Sequence, residues 1–163
     1  MSDSINARRQ KYPEWIFAII GLFFFFTLVG AISTLIPALS SDLQTFILNF
    51  HMVTVPNSNG LTLPAPANPG LYTNIYTAGE IFCIAWGFFS IVSLALRTIA
   101  GSAPWRKAET ISGMFWWFGA SYLISTFLNA GTTMTAWFAF WAAIIMLIGG
   151  SLIIRGLVIA ALR

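Results

Sequence analysis

Charge is what this sequence has least of. Only 8% of its 163 residues are Asp, Glu, Lys or Arg, against roughly 25% in an average soluble domain. With 58% hydrophobic residues, a soluble fold could not cover its own surface, so lipid is the natural solvent. Cysteine is nearly absent as well. Cys83 is alone, which excludes an intramolecular disulfide and a cysteine-based zinc site within one chain. His51 is the single histidine, so bis-histidine haem ligation within one chain is excluded. Asp42 is the only loop aspartate near it, so no nucleophile–base–orienter set appears. There is no Gly-rich phosphate loop and no Asn-x-Ser/Thr sequon. No catalytic residues, cofactor or metal are expected, and the chain does not read as an enzyme.

What is present is long apolar runs. A helix needs about 20 apolar residues to cross the hydrocarbon core, and four stretches qualify. They are Trp15 to about Leu39, Tyr76 to Leu96, Ile111 to Leu128, and Thr133 to Ile154 with a continuation toward Ala161. Pro37 should kink or end the first. Asn68-Pro69-Gly70 makes a turn before the second. Ser102 suits an N-cap before the third, with Pro104 in its first turn. Thr132 or Thr133 can cap the fourth. The first run exceeds the about 7–15 residues of a signal peptide's apolar core, so it reads as a span. The expected fold is an all-α integral membrane four-helix bundle in one domain, 1–163. An outer loop, 40–75, and a cytoplasmic loop, 97–110, connect the spans.

The basic residues give the orientation. Arg8, Arg9 and Lys11 precede the first run. Arg97, Arg106 and Lys107 lie between the second and third, and Arg155 and Arg163 end the fourth. Residues 13–96 and the 129–133 link carry none. The positive-inside rule therefore predicts both termini in the cytoplasm. Tyr12, Trp15 and Trp105 suit an inner aromatic belt, and Tyr72, Tyr76 and Trp137 an outer one.

In the outer segment, 43–51 is partly amphipathic and suits a membrane surface. Val53-Thr54-Val55 and Leu61-Thr62-Leu63, around a turn at 56–60, predict a small β-hairpin, which is marginal unless it packs on something. Residues 64–67 read as extended. The segment is nearly uncharged, which favours a cap that docks a neighbouring subunit over a bare spacer.

Small residues mark helix faces: Thr27, Gly30 and Thr34; Gly79, Cys83 and Gly87; Ala139, Ala143, Gly149 and Gly150. Gly113, Trp117, Ser121, Ser125 and Asn129 form a mildly polar stripe at four-residue spacing. Ordinary polar glue explains the stripe; a pore lining in an oligomer is the sharper reading. Glu14 with Arg8, Arg9 and Lys11, and Glu109 with Arg97, Arg106, Lys107 and Arg155, predict ion pairs at the cytoplasmic edge. Glu80 is the exception, an acid at the outer boundary with no basic partner on that side. A favourable helix N-terminus would explain it. A proton or metal site with His51 and Cys83 is the alternative, although the spacing matches no zinc motif.

Residues 105–110 (Trp-Arg-Lys-Ala-Glu-Thr) and 118–129 (Phe-Gly-Ala-Ser-Tyr-Leu-Ile-Ser-Thr-Phe-Leu-Asn) resemble part of a group of small, uncharacterised archaeal multi-pass membrane proteins. The resemblance covers at most the second to fourth spans. It implies a prokaryotic cell membrane and no particular activity.

Two functions follow. One is a non-catalytic subunit of a larger membrane complex, with other membrane subunits, or copies of itself, and lipids as partners. The other is a homo-oligomeric channel or transporter whose third helix lines the path. Nucleic acid is not an expected partner.

Overall fold

The computed structural model describes residues 13–56 and 58–161. Arg8, Arg9, Lys11, Tyr12, Asn57 and Arg163 lie outside the described residues, as does the side chain of Glu14. So the expected ion pairs and inner anchors there are not addressed. The chain is mostly helical. Helix α1 spans Glu14–Leu35, α2 Leu39–Leu48, α3 Thr73–Ile99, α4 Pro104–Phe127 and α5 Met134–Ala161. Strands β1, Phe50–Thr54, and β2, Thr62–Pro66, form a two-stranded antiparallel sheet. Three of the helices are long and apolar enough to cross a membrane: α1 from Trp15, α3 and α5. This is consistent with a membrane location.

Helix α4, at 24 residues, is longer than α1 but falls outside that set. Its first turns carry Arg106, Lys107 and Glu109, and its body Ser112, Ser121, Tyr122 and Ser125, which dilute its apolar character. Only three of the four expected spans thus meet the criterion by composition.

The first helix is shorter than the sequence suggested. A proline disfavours helical backbone in the residue before it, and Ile36 turns extended at φ −112° and ψ 97° ahead of Pro37. Ala38 then takes a left-handed conformation at φ 65°, and the chain turns into α2. Residues 40–75 are accordingly not a plain loop. They hold α2, the hairpin and a 3₁₀ turn, Pro69–Leu71.

The hairpin pairs Phe50 with Pro66 through Thr54 with Thr62, so β2 runs into the stretch expected to be merely extended. A two-stranded sheet has only edge strands, which is why Pro64 and Pro66 are tolerated. Gly60, at φ 87°, turns the chain between them.

The 97–110 loop also shrinks. Helix α3 runs to Ile99 and ends in a Schellman arrangement, with Ser102 N–H donating to Arg97 O at 2.9 Å and Gly101 N–H to Thr98 O at 3.3 Å. Gly101 takes the required left-handed turn at φ 71°. Helix α4 begins at Pro104 without a side-chain cap. The cap position is Ala103, and the Ser102 hydroxyl is buried without a partner. At the other link, Thr133 Oγ1 accepts from Ala136 N–H at 3.2 Å, so that helix start is capped.

The extensive helix contacts run α3 to α4 and α4 to α5, with a smaller one from α1 to α3. The four long helices therefore stand in the order α1–α3–α4–α5. Short links make α3, α4 and α5 antiparallel neighbours. The glycine faces fix their approach. A Cβ at Gly87 would lie 2.8 Å from the Phe118 ring, and one at Gly119 would lie against Leu147. Ser112 Oγ donates to Ser151 O at 2.7 Å across α4 and α5. Helix α1 meets α3 through rings, with Phe24 stacked on Phe89 at 4.4 Å, and through Ile32 and Ile36 around Ala78.

Candidate functional site

The best-packed region is where the 39–71 segment caps the ends of α3, α4 and α5. Ala65, Tyr72, Tyr76, Leu128, Trp137 and Phe140 form a buried cluster there. Phe46 of α2 meets Tyr72 and Trp137 edge-on, and Phe50 of β1 does the same with Trp137. The hairpin is marginal alone and finds its support in these rings. Polar contacts tie the cap down. Asn49 Nδ2 donates to the Tyr72 hydroxyl at 2.9 Å, Tyr76 donates to Pro69 O at 2.7 Å, and Asn74 donates to Asp42 at 2.8 Å. Gly70 is a required glycine, because a Cβ there would sit 2.7 Å from Ala130 O.

The cap leaves hollows at its edges. A polar cleft of about 460 Å³ runs between Asn68–Leu71 and Thr132–Met134. An apolar groove of about 260 Å³ lies beside Phe50, Pro64, Trp137 and Trp141. Another of about 300 Å³ lies between α1, α2 and α3, along Ile32, Leu39, Leu43 and Phe82.

The sequence-derived candidates are scattered by the fold. His51 is exposed on β1, its Nδ1 3.3 Å from Asn49 O. Cys83 is buried and free. Glu80 is half-buried on α3. No three of His, Cys, Asp and Glu gather to hold a metal ion among the described residues. His51, Glu80 and Cys83 therefore do not form the proposed set.

The polar stripe divides. Trp117 packs against Phe82 and Trp86 of α3. Ser121 is buried. Ser125 is exposed and donates to Tyr122 O at 3.1 Å. Asn129 leaves the helix and accepts from Gly131 N–H at 2.9 Å, shaping the link.

At the opposite end the expected Arg106–Glu109 ion pair forms. Arg106 reaches Glu109 at 3.3 Å within α4 and also stacks over Trp105 at 3.9 Å. Arg97 lies over the Phe17 ring at 5.2 Å, joining α3 to α1. Lys107 and Arg155 are half-buried and make no ion pair with the described residues. Two features were missed in the sequence: Trp137 as the seat of the cap, and the Arg97–Phe17 contact. Trp137 was visible only as a belt residue.

The small-residue face of α1 meets no other element among the described residues. Thr27 and Thr34 are exposed and bond to their own helix, and a Cβ at Gly30 would meet nothing within 4 Å. No protein-family model, curated protein or solved structure matches this chain.

Proposed function

We propose that this chain is a non-catalytic integral membrane subunit that packs within a larger membrane protein complex. The observation behind this is the surface of the cap. Leu48 is 73% exposed, Met52 63% and Leu71 74%, with Ile47, Leu61 and Leu63 also open. Exposed apolar residues along α1, α3 and α5 have lipid to solvate them. The cap stands beyond the ends of those helices, where contiguous apolar surface marks an interaction site. The unused face of α1, with Gly30 at its centre, adds a second surface of the kind membrane helices pack through.

On this reading α4 crosses with the other three, and the basic residues hold both termini and the 100–103 link in the cytoplasm. The resemblance of residues 105–129 to archaeal membrane proteins would place it in a prokaryotic cell membrane. The homo-oligomeric channel has less behind it, because the stripe that would line its path is split between helix contacts, its own backbone and a turn.

The test is the mass and composition of the native assembly after gentle extraction. Other polypeptides at fixed stoichiometry are expected. A solitary 17.9 kDa monomer sinks the proposal, and multiples of that mass alone favour the homo-oligomer.

A further inference from the structure

Glu80 is the residue whose position the chain itself does not account for. It is the eighth residue of α3, because that helix starts at Thr73, three residues earlier than the sequence suggested. Helix-dipole stabilisation falls off within the first turn, and Glu80 lies beyond it. At 1.5 Å per residue α3 is about 40 Å long, against a hydrocarbon core of about 30 Å. Centred on the core, it places Glu80 about 5 Å inside the apolar region. Among the described residues Glu80 makes no hydrogen bond or ion pair. A carboxylate at that depth is costly unless it is paired.

Its surroundings are legible from helix geometry. Ile84, Gly87 and Ile91 follow Glu80 on one line of α3, and Tyr122 and Ser125 follow Phe118 on one line of α4. The two lines border each other, because Gly87 abuts the Phe118 ring and Phe88 meets that ring edge-on at 5.5 Å. Gly79 faces Ile124 and Gly87 faces Phe118, so in the antiparallel pair Glu80 stands level with residues 123–125, Ser125 among them. Ile84, Phe88, Ile91 and Tyr122 are all exposed, Tyr122 to 68%. The Tyr122 hydroxyl has no partner among the described residues, and the Ser125 hydroxyl is bonded only to its own helix. An outward apolar face thus carries three polar groups at one level, one of them an unpaired acid.

We infer that this α3–α4 face is the docking surface for a membrane helix of another polypeptide that presents a lysine or arginine at Glu80's depth. Charge complementarity picks the occupant. The cations among this chain's described residues cluster at the far end: Arg97 lies about 25 Å along α3 from Glu80, and Arg106, Lys107 and Arg155 lie in the first turns of α4 and toward the end of α5. A second copy in the same orientation brings none of these four to Glu80. The partner's ammonium or guanidinium pairs with the carboxylate, and Tyr122 and Ser125 supply further acceptors beside it.

This rests on the reading of the chain as a membrane subunit. The experiment compares the tagged full-length chain with Glu80→Gln and Glu80→Lys, extracted gently, with co-purifying polypeptides quantified by native mass spectrometry. Thermal melting in detergent controls for folding. At least tenfold less partner with Glu80→Gln and none with Glu80→Lys are expected, from variants that melt like the wild type. Recovery of Glu80→Lys assembly by changing a membrane-level Lys or Arg of the partner to Glu would identify the pair. Wild-type amounts of partner on a folded Glu80→Gln overturn this surface and leave the subunit reading standing. If Glu80→Lys does not fold, Glu80→Gln alone decides. No partner on the wild-type chain overturns both.

Discussion

Single residues set how closely the helices approach. Gly87 and Gly119 sit where another side chain already occupies the Cβ position, whereas Gly30 and Gly149 face open space. Overpacking a close contact costs about 1–3 kcal/mol. For a chain of this size about 1 kcal/mol corresponds to roughly 2–4 °C in melting temperature. Gly87→Ala and Gly119→Ala should each lower the melting temperature in detergent by several degrees, and Gly149→Ala should leave it unchanged or slightly raised. Equal effects at all three positions would show that the α3–α4 and α4–α5 contacts are looser than described. Gly70→Ala addresses a different contact. Its Cβ would meet the Ala130 carbonyl oxygen, which is backbone and cannot swing aside, so it should loosen the cap, read as faster proteolysis within 50–72.

At the scale of elements, the two links and the cap divide the labour. The α3–α4 link closes in four residues because Gly101 supplies the left-handed turn, and the α4–α5 link is held by Asn129, Thr132 and Thr133. Ser112 bonds across the second pair, and such interhelical bonds in a membrane average about 0.6 kcal/mol. Ser112→Ala should therefore cost little, a shift of roughly 1–3 °C. A larger loss would mean that the bond also orders the α4 start.

Orientation is tested on the same scale. With Cys83 replaced by Ala, a cysteine placed at Ser58 should react with an impermeant thiol reagent on intact cells, and one placed at Thr98, exposed at the last turn of α3, only after lysis. The reverse pattern would overturn the positive-inside reading.

Much of this layer was legible in the sequence, because apolar length and turn chemistry are local. The hairpin showed in the alternation of 53–55 and 61–63. The end of α1 was misplaced because apolar composition continues through Ile36 to Leu39, while the backbone obeys Pro37. The loop at 97–110 was overdrawn because charge was read as loop, although Arg106, Lys107 and Glu109 sit comfortably in a first helical turn. The candidate site was less legible. Whether Glu80, Cys83 and His51 converge depends on how the cap docks, and the docking is decided by Trp137, 66 positions beyond the segment's end at Leu71.

For the whole molecule, the prediction concerns assembly. Met52→Glu and Leu48→Glu place charge on cap positions that are 63% and 73% exposed, so the chain should still fold, yet lose other polypeptides from the purified complex. Retention of those polypeptides would move the interface from the cap to the membrane faces.

The arrangement of α1 has a consequence for biogenesis. Its main contact is the small one with α3, and the end of α3 leaves the ribosome 64 residues after Leu35, from 35 to 99. At about 5–20 residues per second, that is a delay of roughly 3–13 s. During that interval the first helix is without its intramolecular neighbour, and a mostly apolar surface whose Thr27, Ser33 and Thr34 hydroxyls bond to their own backbone is what allows it to wait in lipid.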